Sequence, residues 1–206
     1  MKTIIRMSAL ILAVLFFSII YEVPSHASDT DDFDADYYAN AYADVRAVYG
    51  NNPIELYSHY LNYGMKEGRF KNAAEEASGV ASCSIDTYVD VDIANQTMNY
   101  YKDGEVVLSS SCVTGNPNEG NSTPKGKFVV RTKIPGKYLV GPTWNVWVDR
   151  WMRFTGNCGL HDASWRSKFG GNIYKSDGSH GCVNLPSDVA YSLYDMIDIG
   201  TAVIVH

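Results

Sequence analysis

Hydrophobic and polar positions change period along this chain, and the changes divide it. From Met7 to Ile20 the residues are apolar apart from Ser8 and Ser18. With Lys2 and Arg6 ahead of that run and Ser25-His26-Ala27 behind it, residues 1–27 read as a secretory signal peptide cleaved after Ala27. The run is shorter than the ~20 residues that span a bilayer, which argues against an uncleaved anchor. Residues 28–32 are a short acidic stretch expected to be disordered. Residues 33–70 then take helical spacing. Asn52-Pro53-Ile54-Glu55 supplies a cap, a first-position proline and an early acid, and Leu56, Tyr57, Tyr60, Leu61 and Tyr63 follow at the spacing of one helix face. Gly64 is placed to end that helix. Tyr38, Tyr42, Val45 and Tyr49 predict one or two shorter helices before it, closed by Gly50-Asn51. Residues 71–83 are small, polar and unpatterned, and read as a linker.

From Ser84 the period becomes two. Tyr88–Ile93, Thr97–Tyr101, Val106–Val113, Phe128–Thr132, Trp144–Val148 and Thr201–Val205 predict strands, and Asp103-Gly104 is a hairpin signal. Ser187 to Ile197, with Val189, Leu193 and Ile197 four apart, predicts a helix. Residues 84–206 are therefore expected to form a mainly β domain with one or two short helices, preceded by the small α-helical module.

The length of 206 residues suits one ordinary domain plus a small module. The formal net charge of −6 argues against a nucleic-acid partner. That charge is unevenly spread: residues 28–82 carry ten acids and four bases, whereas residues 124–176 carry ten bases and two acids, Asp149 and Asp162. The basic sector fits either a carboxylate-rich substrate or a solvated face that balances the acidic region. Arg153, Arg166 and Lys168 are its candidates for holding substrate carboxylates. Four cysteines in an exported chain permit a disulfide. If Cys182 stays a free thiol, Cys83, Cys112 and Cys158 allow at most one pair, which the sequence does not choose.

The densest chemistry lies between Asn157 and Pro186. A thiol attacks a carbonyl as the thiolate, so a neighbouring histidine is the usual device to deprotonate it. In Ser179-His180-Gly181-Cys182-Val183-Asn184, Gly181 lets the main chain bend closely around a carbonyl and offers the Cys182 N–H to an oxyanion. Two histidines compete for the role of base: His180, two residues from Cys182, and His161, distant in sequence but able to sit on a neighbouring strand. Cys158, His161, His180 and Cys182 also make a possible zinc set. His59, on a Tyr-rich face, reads as a packed or surface histidine rather than a ligand.

His161, a spacer over 162–178, and then Ser179-His180-Gly181-Cys182-Val183-Asn184 resembles the signature of the L,D-transpeptidase (YkuD-type) catalytic domain. Val113-Thr114-Gly115, Thr123-Pro124-Lys125-Gly126-Lys127-Phe128 and the ending Gly200–Val205 extend the resemblance over residues 84–206. Residues 33–70, with their ending His59–Arg69, resemble a short helical module of Gram-positive secreted and cell-surface proteins. The resemblance implies an L,D-transpeptidase-like β-sandwich with its active site under a flap, here within Tyr138–Arg153, which carries Tyr138, Trp144, Trp147 and Trp151. It implies Cys182 as nucleophile, His161 as base and later acid, and His180, Gly181, Ser179 and Asn184 as oxyanion and substrate support. Asp162 would orient His161 through either its main chain or its side chain. It implies no cofactor and no metal, peptidoglycan stem peptides as partners, and carbapenems as covalent inhibitors. The place of work would be the cell wall or exterior of a Gram-positive bacterium, with no membrane attachment after signal cleavage. The implied reaction is transfer of a stem-peptide acyl group to an amine in a 3→3 cross-link, with an L,D-carboxypeptidase or an exchange or anchoring activity through the same acyl-enzyme as the alternative. The remaining rivals are a zinc peptidase and a non-catalytic wall-binding protein with a decayed enzyme domain, although decay is expected to lose Cys182 or His161 and both are present.

Overall fold

Short capped helices open the described part of the chain. The computed structural model describes residues 32–82 and 84–206. The expected signal peptide, most of the acidic stretch and Cys83 lie outside them. Helices α1 (Ala35–Ala41), α2 (Ala43–Tyr49) and α3 (Pro53–His59) form the N-terminal module, and α3 runs on into a π turn over Tyr60–Gly64. The cap at Asn52 forms as its sequence suggests: its side chain accepts the N–H groups of Ile54 and Glu55 at 3.1 and 3.4 Å. Gly64 does end the helical run, but for a packing reason. A side chain there would run into the Tyr38 hydroxyl, which itself pairs with His59 Nδ1 at 3.0 Å.

The module shares its core with the rest of the chain. Phe33, Tyr38, Leu56, Tyr57, Tyr60 and Leu61 bury one cluster together with Val129 and Ala202. Arg131 pairs with Glu55 at 2.5 Å, and Asn62 Nδ2 donates to the Lys127 carbonyl at 3.2 Å. The stretch expected to be unpatterned contains a helix, α4 (Ala73–Ser78). Capping makes it without any apolar period: Asn72 accepts the Glu75 N–H at 2.9 Å, and Gly79 at φ +70° closes it.

Two sheets follow. The first has the order β3-β2-β1-β9-β4, built from β1 (Tyr88–Asp92), β2 (Thr97–Lys102), β3 (Glu105–Ser111), β4 (Gly126–Val129) and β9 (Ala202–Val205). The second has the order β5-β6-β7-β8, from β5 (Thr132–Val140), β6 (Asn145–Thr155), β7 (Cys158–Asp162) and β8 (Val183–Leu185). Asp103 and Gly104 both have positive φ, the hairpin turn that the right-handed strand twist favours. The run Phe128–Thr132, expected as one strand, is divided between β4 and β5, because the chain crosses from one sheet to the other at Val130-Arg131. Val89, Val91, Met98, Tyr100, Met152, Phe154, Leu160, Val183 and Val203 fill the space between the sheets. Besides a one-turn helix α5 (Tyr174–Asp177), the domain has α6 (Ser187–Met196), whose Ala190 and Leu193 are buried in that same core. The architecture is a mainly β sandwich with few short helices. Among the described residues no helix is long and apolar enough to cross a membrane.

Candidate active site

The two halves of the predicted constellation meet because β7 and β8 pair in parallel, with His161 opposite Asn184 and Leu160 opposite Val183. On the other side of β8, Val113 bridges to Asn184 and Gly115 to Ser179. Gly115 approaches so closely that a side chain would overlap the Asn121 carbonyl, and its N–H donates to Thr123 Oγ1 at 2.9 Å. The Val113–Gly115 and Thr123 motifs thus brace the Ser179–Cys182 turn from outside.

Ser179 closes the turn before Cys182. Its hydroxyl donates to the Cys182 carbonyl at 2.5 Å and accepts the Gly181 N–H at 3.1 Å. Gly181 sits at φ +114°, where an L side chain is strained, and a Cβ would also press on Cys158 Sγ at 3.0 Å. Cys182 faces a cavity of about 250 Å³ whose lining includes His161, His180, Asn184, Trp144 and Trp165. A second cavity of about 330 Å³ reaches Cys182 from the side of Lys137, Arg153 and Asn157.

The protons on His161 follow from its partners. Nδ1 lies 2.8 Å from the Asp162 carbonyl, which only accepts, so Nδ1 carries the hydrogen. Nε2 lies 3.1 Å from Asn184 Nδ2. The Asn184 amide is oriented by Arg166, whose Nε donates to Oδ1 at 2.9 Å; a guanidinium has no acceptor, so Nδ2 must face His161. An amide NH2 only donates, so Nε2 is the lone pair. Burial first, and then the nearby Arg166 charge, push the His161 pKa down to about 4 against the pull of the Asp162 carbonyl. Burial pushes the Cys182 thiol up to about 12, opposed by the Gly159 N–H and by Lys137. Both groups are neutral at pH 7. At rest the thiol donates to the Asn157 carbonyl at 3.7 Å.

Asp162 orients His161 through its main chain. Its carboxylate points away, and Oδ1 accepts the backbone N–H groups of Asp149 and Arg150, both at 2.8 Å. His180 is exposed and lies against the Trp144 ring, centroids 5.0 Å apart. The zinc reading needed Cys158, His161, His180 and Cys182 to converge. Among the described residues no three His, Cys, Asp or Glu side chains form such a group. Cys112, Cys158 and Cys182 are free thiols. Of the basic candidates, Arg153 lines the second cavity, Lys168 is exposed and borders neither cavity, and Arg166 lines the first cavity while tied to Asn184 and Asp177. The segment expected to hold the flap is the β5–β6 hairpin. There Trp144 reaches the cavity and Trp151 is buried beside His161 at 5.7 Å, while Tyr138 and Trp147 pack edge to face on the exposed side. Sequence reasoning missed Asn157, which acts through a main-chain carbonyl and leaves no side-chain signal. It also missed Trp165 and Asp177, which sit inside the spacer and look like any loop residue.

Residues 86–205 match the family model of the YkuD L,D-transpeptidase catalytic domain. Among solved structures, a crystal structure of an Enterococcus faecium L,D-transpeptidase mutant is 38% identical, with TM-score 0.58. The match covers 61% of this chain and 52% of that one, so the chain spans about half the length of that relative. The NMR structure of the E. faecium catalytic domain acylated by ertapenem is 38% identical with TM-score 0.53, over 59% of this chain and 97% of that one. An L,D-transpeptidase from Mycobacterium smegmatis is 29% identical with TM-score 0.52, over 59% of this chain and 58% of that one. No curated protein matches.

Proposed function

The chain belongs to the YkuD L,D-transpeptidase catalytic-domain family, and on that premise we propose that it is a secreted cysteine acyltransferase that forms 3→3 cross-links in the peptidoglycan of a Gram-positive cell wall. The observation that carries this reading is the pairing of β7 with β8, which brings His161 and Cys182 to the lining of one cavity.

In the proposed reaction a tetrapeptide stem enters with the carbonyl of its third residue over Cys182. Because thiol and imidazole are both neutral at rest, His161 Nε2 gives up the Asn184 N–H and takes the thiol proton as Sγ attacks, rather than beforehand. The oxyanion is met by main-chain N–H donors of the turn, that of Cys182 among them, which Gly181 leaves unobstructed. Collapse breaks the bond to the terminal D-alanine, whose amine leaves with the proton from His161. An amine of a second stem then attacks the thioester. His161 accepts its proton, an amide forms, and the Cys182 sulfur is released and reprotonated. Ser179 and Asn184 hold the turn and the base, while His180 and Trp144 border the entrance. Arg153 and Lys137, on the far side of Cys182, suit a substrate carboxylate. Acylation of the E. faecium domain by ertapenem supports carbapenems as covalent inhibitors.

The test uses the whole chain, since the module and the sandwich share a core. Incubation with a carbapenem, read by intact mass, should give one adduct in wild type and none in Cys182→Ala. An unmodified wild-type protein would sink the cysteine mechanism. Incubation with disaccharide-tetrapeptide, followed by muropeptide analysis, should yield a 3→3 dimer and free D-alanine. Tripeptide product without dimer would make water the acceptor.

A further inference from the structure

The spacer between the two halves of the site holds a charged side chain for which the reaction above has no use. Arg166 was a candidate for binding substrate carboxylate, but two of its donors are engaged within the protein. Nη1 donates to Asp177 Oδ2 at 2.9 Å and Nε to Asn184 Oδ1 at 2.9 Å. The Arg166 side chain is 8% exposed whereas that of Asp177 is 80% exposed. The pair therefore aims the guanidinium inward, at a buried amide that in turn faces His161.

A free asparagine beside a histidine can serve either protonation state. It offers N–H to a lone pair, or turns its amide and offers oxygen to a proton. Asn184 has lost that choice, because Arg166 occupies its oxygen.

We propose that Arg166 is a positioning residue for His161: by holding Asn184 with its N–H side toward Nε2, it keeps the base neutral at rest and denies the protonated base an acceptor. This rests on the reading of His161 as the base. Once Nε2 takes the Cys182 proton, two N–H groups face one another. The proton is then held weakly and passes readily to the departing D-alanine amine. An asparagine free to turn would stabilise the imidazolium and retain that proton.

The other groups around His161 leave this role to Arg166. The Asp162 carboxylate is turned to the Asp149 and Arg150 N–H groups. Asp177 is paired with Arg166 itself. Trp151 and Trp165 present uncharged rings. Cys182 and His180 line the same cavity; the thiol is engaged with Asn157 and the imidazole lies on Trp144.

The test is a double-mutant cycle on the full chain, read as the His161 pKa by NMR of ring-labelled histidine. Arg166→Met should raise that pKa by about one unit or more, because Asn184 becomes free to turn. In an Asn184→Ala background the same Arg166→Met change should give a clearly smaller rise, that of losing the Arg166 charge by itself. Equal shifts in the two backgrounds would mean that Arg166 acts by charge alone and would overturn the proposal. Should Arg166→Met fail to fold, Asn184→Ala by itself still decides. It leaves the Arg166 charge in place and should raise the pKa, and an unchanged value would refute the lock. The acid limb of carbapenem acylation should move to higher pH with the pKa. If wild type is never acylated, the proposed function fails, while the NMR cycle still reports on the lock.

Discussion

Replacing Asp162 by asparagine removes a charge beside the candidate base and keeps every contact that the structure gives it. Oδ1 accepts two backbone N–H groups at 2.8 Å, and an asparagine oxygen can accept both. The His161 partner is the Asp162 main-chain carbonyl, which the substitution leaves alone. Hydrogen bonds to a charged acceptor contribute ~1.5–3 kcal/mol and neutral ones ~1 kcal/mol, so the two weakened bonds would cost about 1–4 kcal/mol. Burial opposes this. It is the main cause raising the Asp162 pKa, so the charged form sits uneasily in its site. The terms oppose each other, and Asp162→Asn should change stability by no more than about 1–2 kcal/mol and carbapenem acylation by a few-fold. A carboxylate that orients a catalytic histidine through its side chain behaves differently: there the same change costs about 10⁴ in rate. Asp162→Ala should instead leave the Asp149 and Arg150 N–H groups unpartnered, at about 1–3 kcal/mol each, while folded molecules keep most of their acylation rate. Acylation is followed by intact mass over time and stability by urea denaturation. A loss of 10³ or more in Asp162→Asn at unchanged stability would show that the side chain acts on His161 and refute the main-chain assignment.

Other perturbations follow from the same geometry. Gly181→Ala must place a side chain at φ +114° and against Cys158 Sγ; it should lower stability by about 1–3 kcal/mol and slow acylation at least tenfold, measured by denaturation and mass spectrometry. His161 titrates near 4 when folded and near its ordinary 6.5 when unfolded. The unfolded chain therefore takes up the proton first as pH falls, and stability should drop by about 3 kcal/mol in all between pH 6.5 and 4. Urea melts across that range should show the slope in wild type and a shallower one in His161→Gln. Gly64→Ala drives a methyl group into the Tyr38 hydroxyl and should cost about 1–3 kcal/mol in urea unfolding without changing the acylation rate of folded protein.

Much of the organisation was determined locally, so the sequence by itself carried it. The Asn52 cap, the Asp103-Gly104 turn, the strands β1 to β3 and the helix α6 each depend on a period or a turn residue within a few positions. The turn at Cys182 was legible for the same reason, since Ser179, Gly181 and Cys182 meet within four residues. Helix α4 and the break between β4 and β5 were not legible. One is made by side-chain capping without an apolar stripe, and the other by a choice between two sheets that both accept Phe128–Thr132. The competition between His180 and His161 is of a different kind, because spacing allows either. Tertiary structure distinguishes their surroundings: parallel pairing of β7 with β8 buries His161 between Asn184 and the Asp162 carbonyl, while His180 stays exposed on Trp144. The part of Asp162 that faces His161, and the turning of Arg166 from solvent toward Asn184, were likewise decided only in three dimensions. A residue type states which donors and acceptors exist, and only the packed neighbours determine which of them meet.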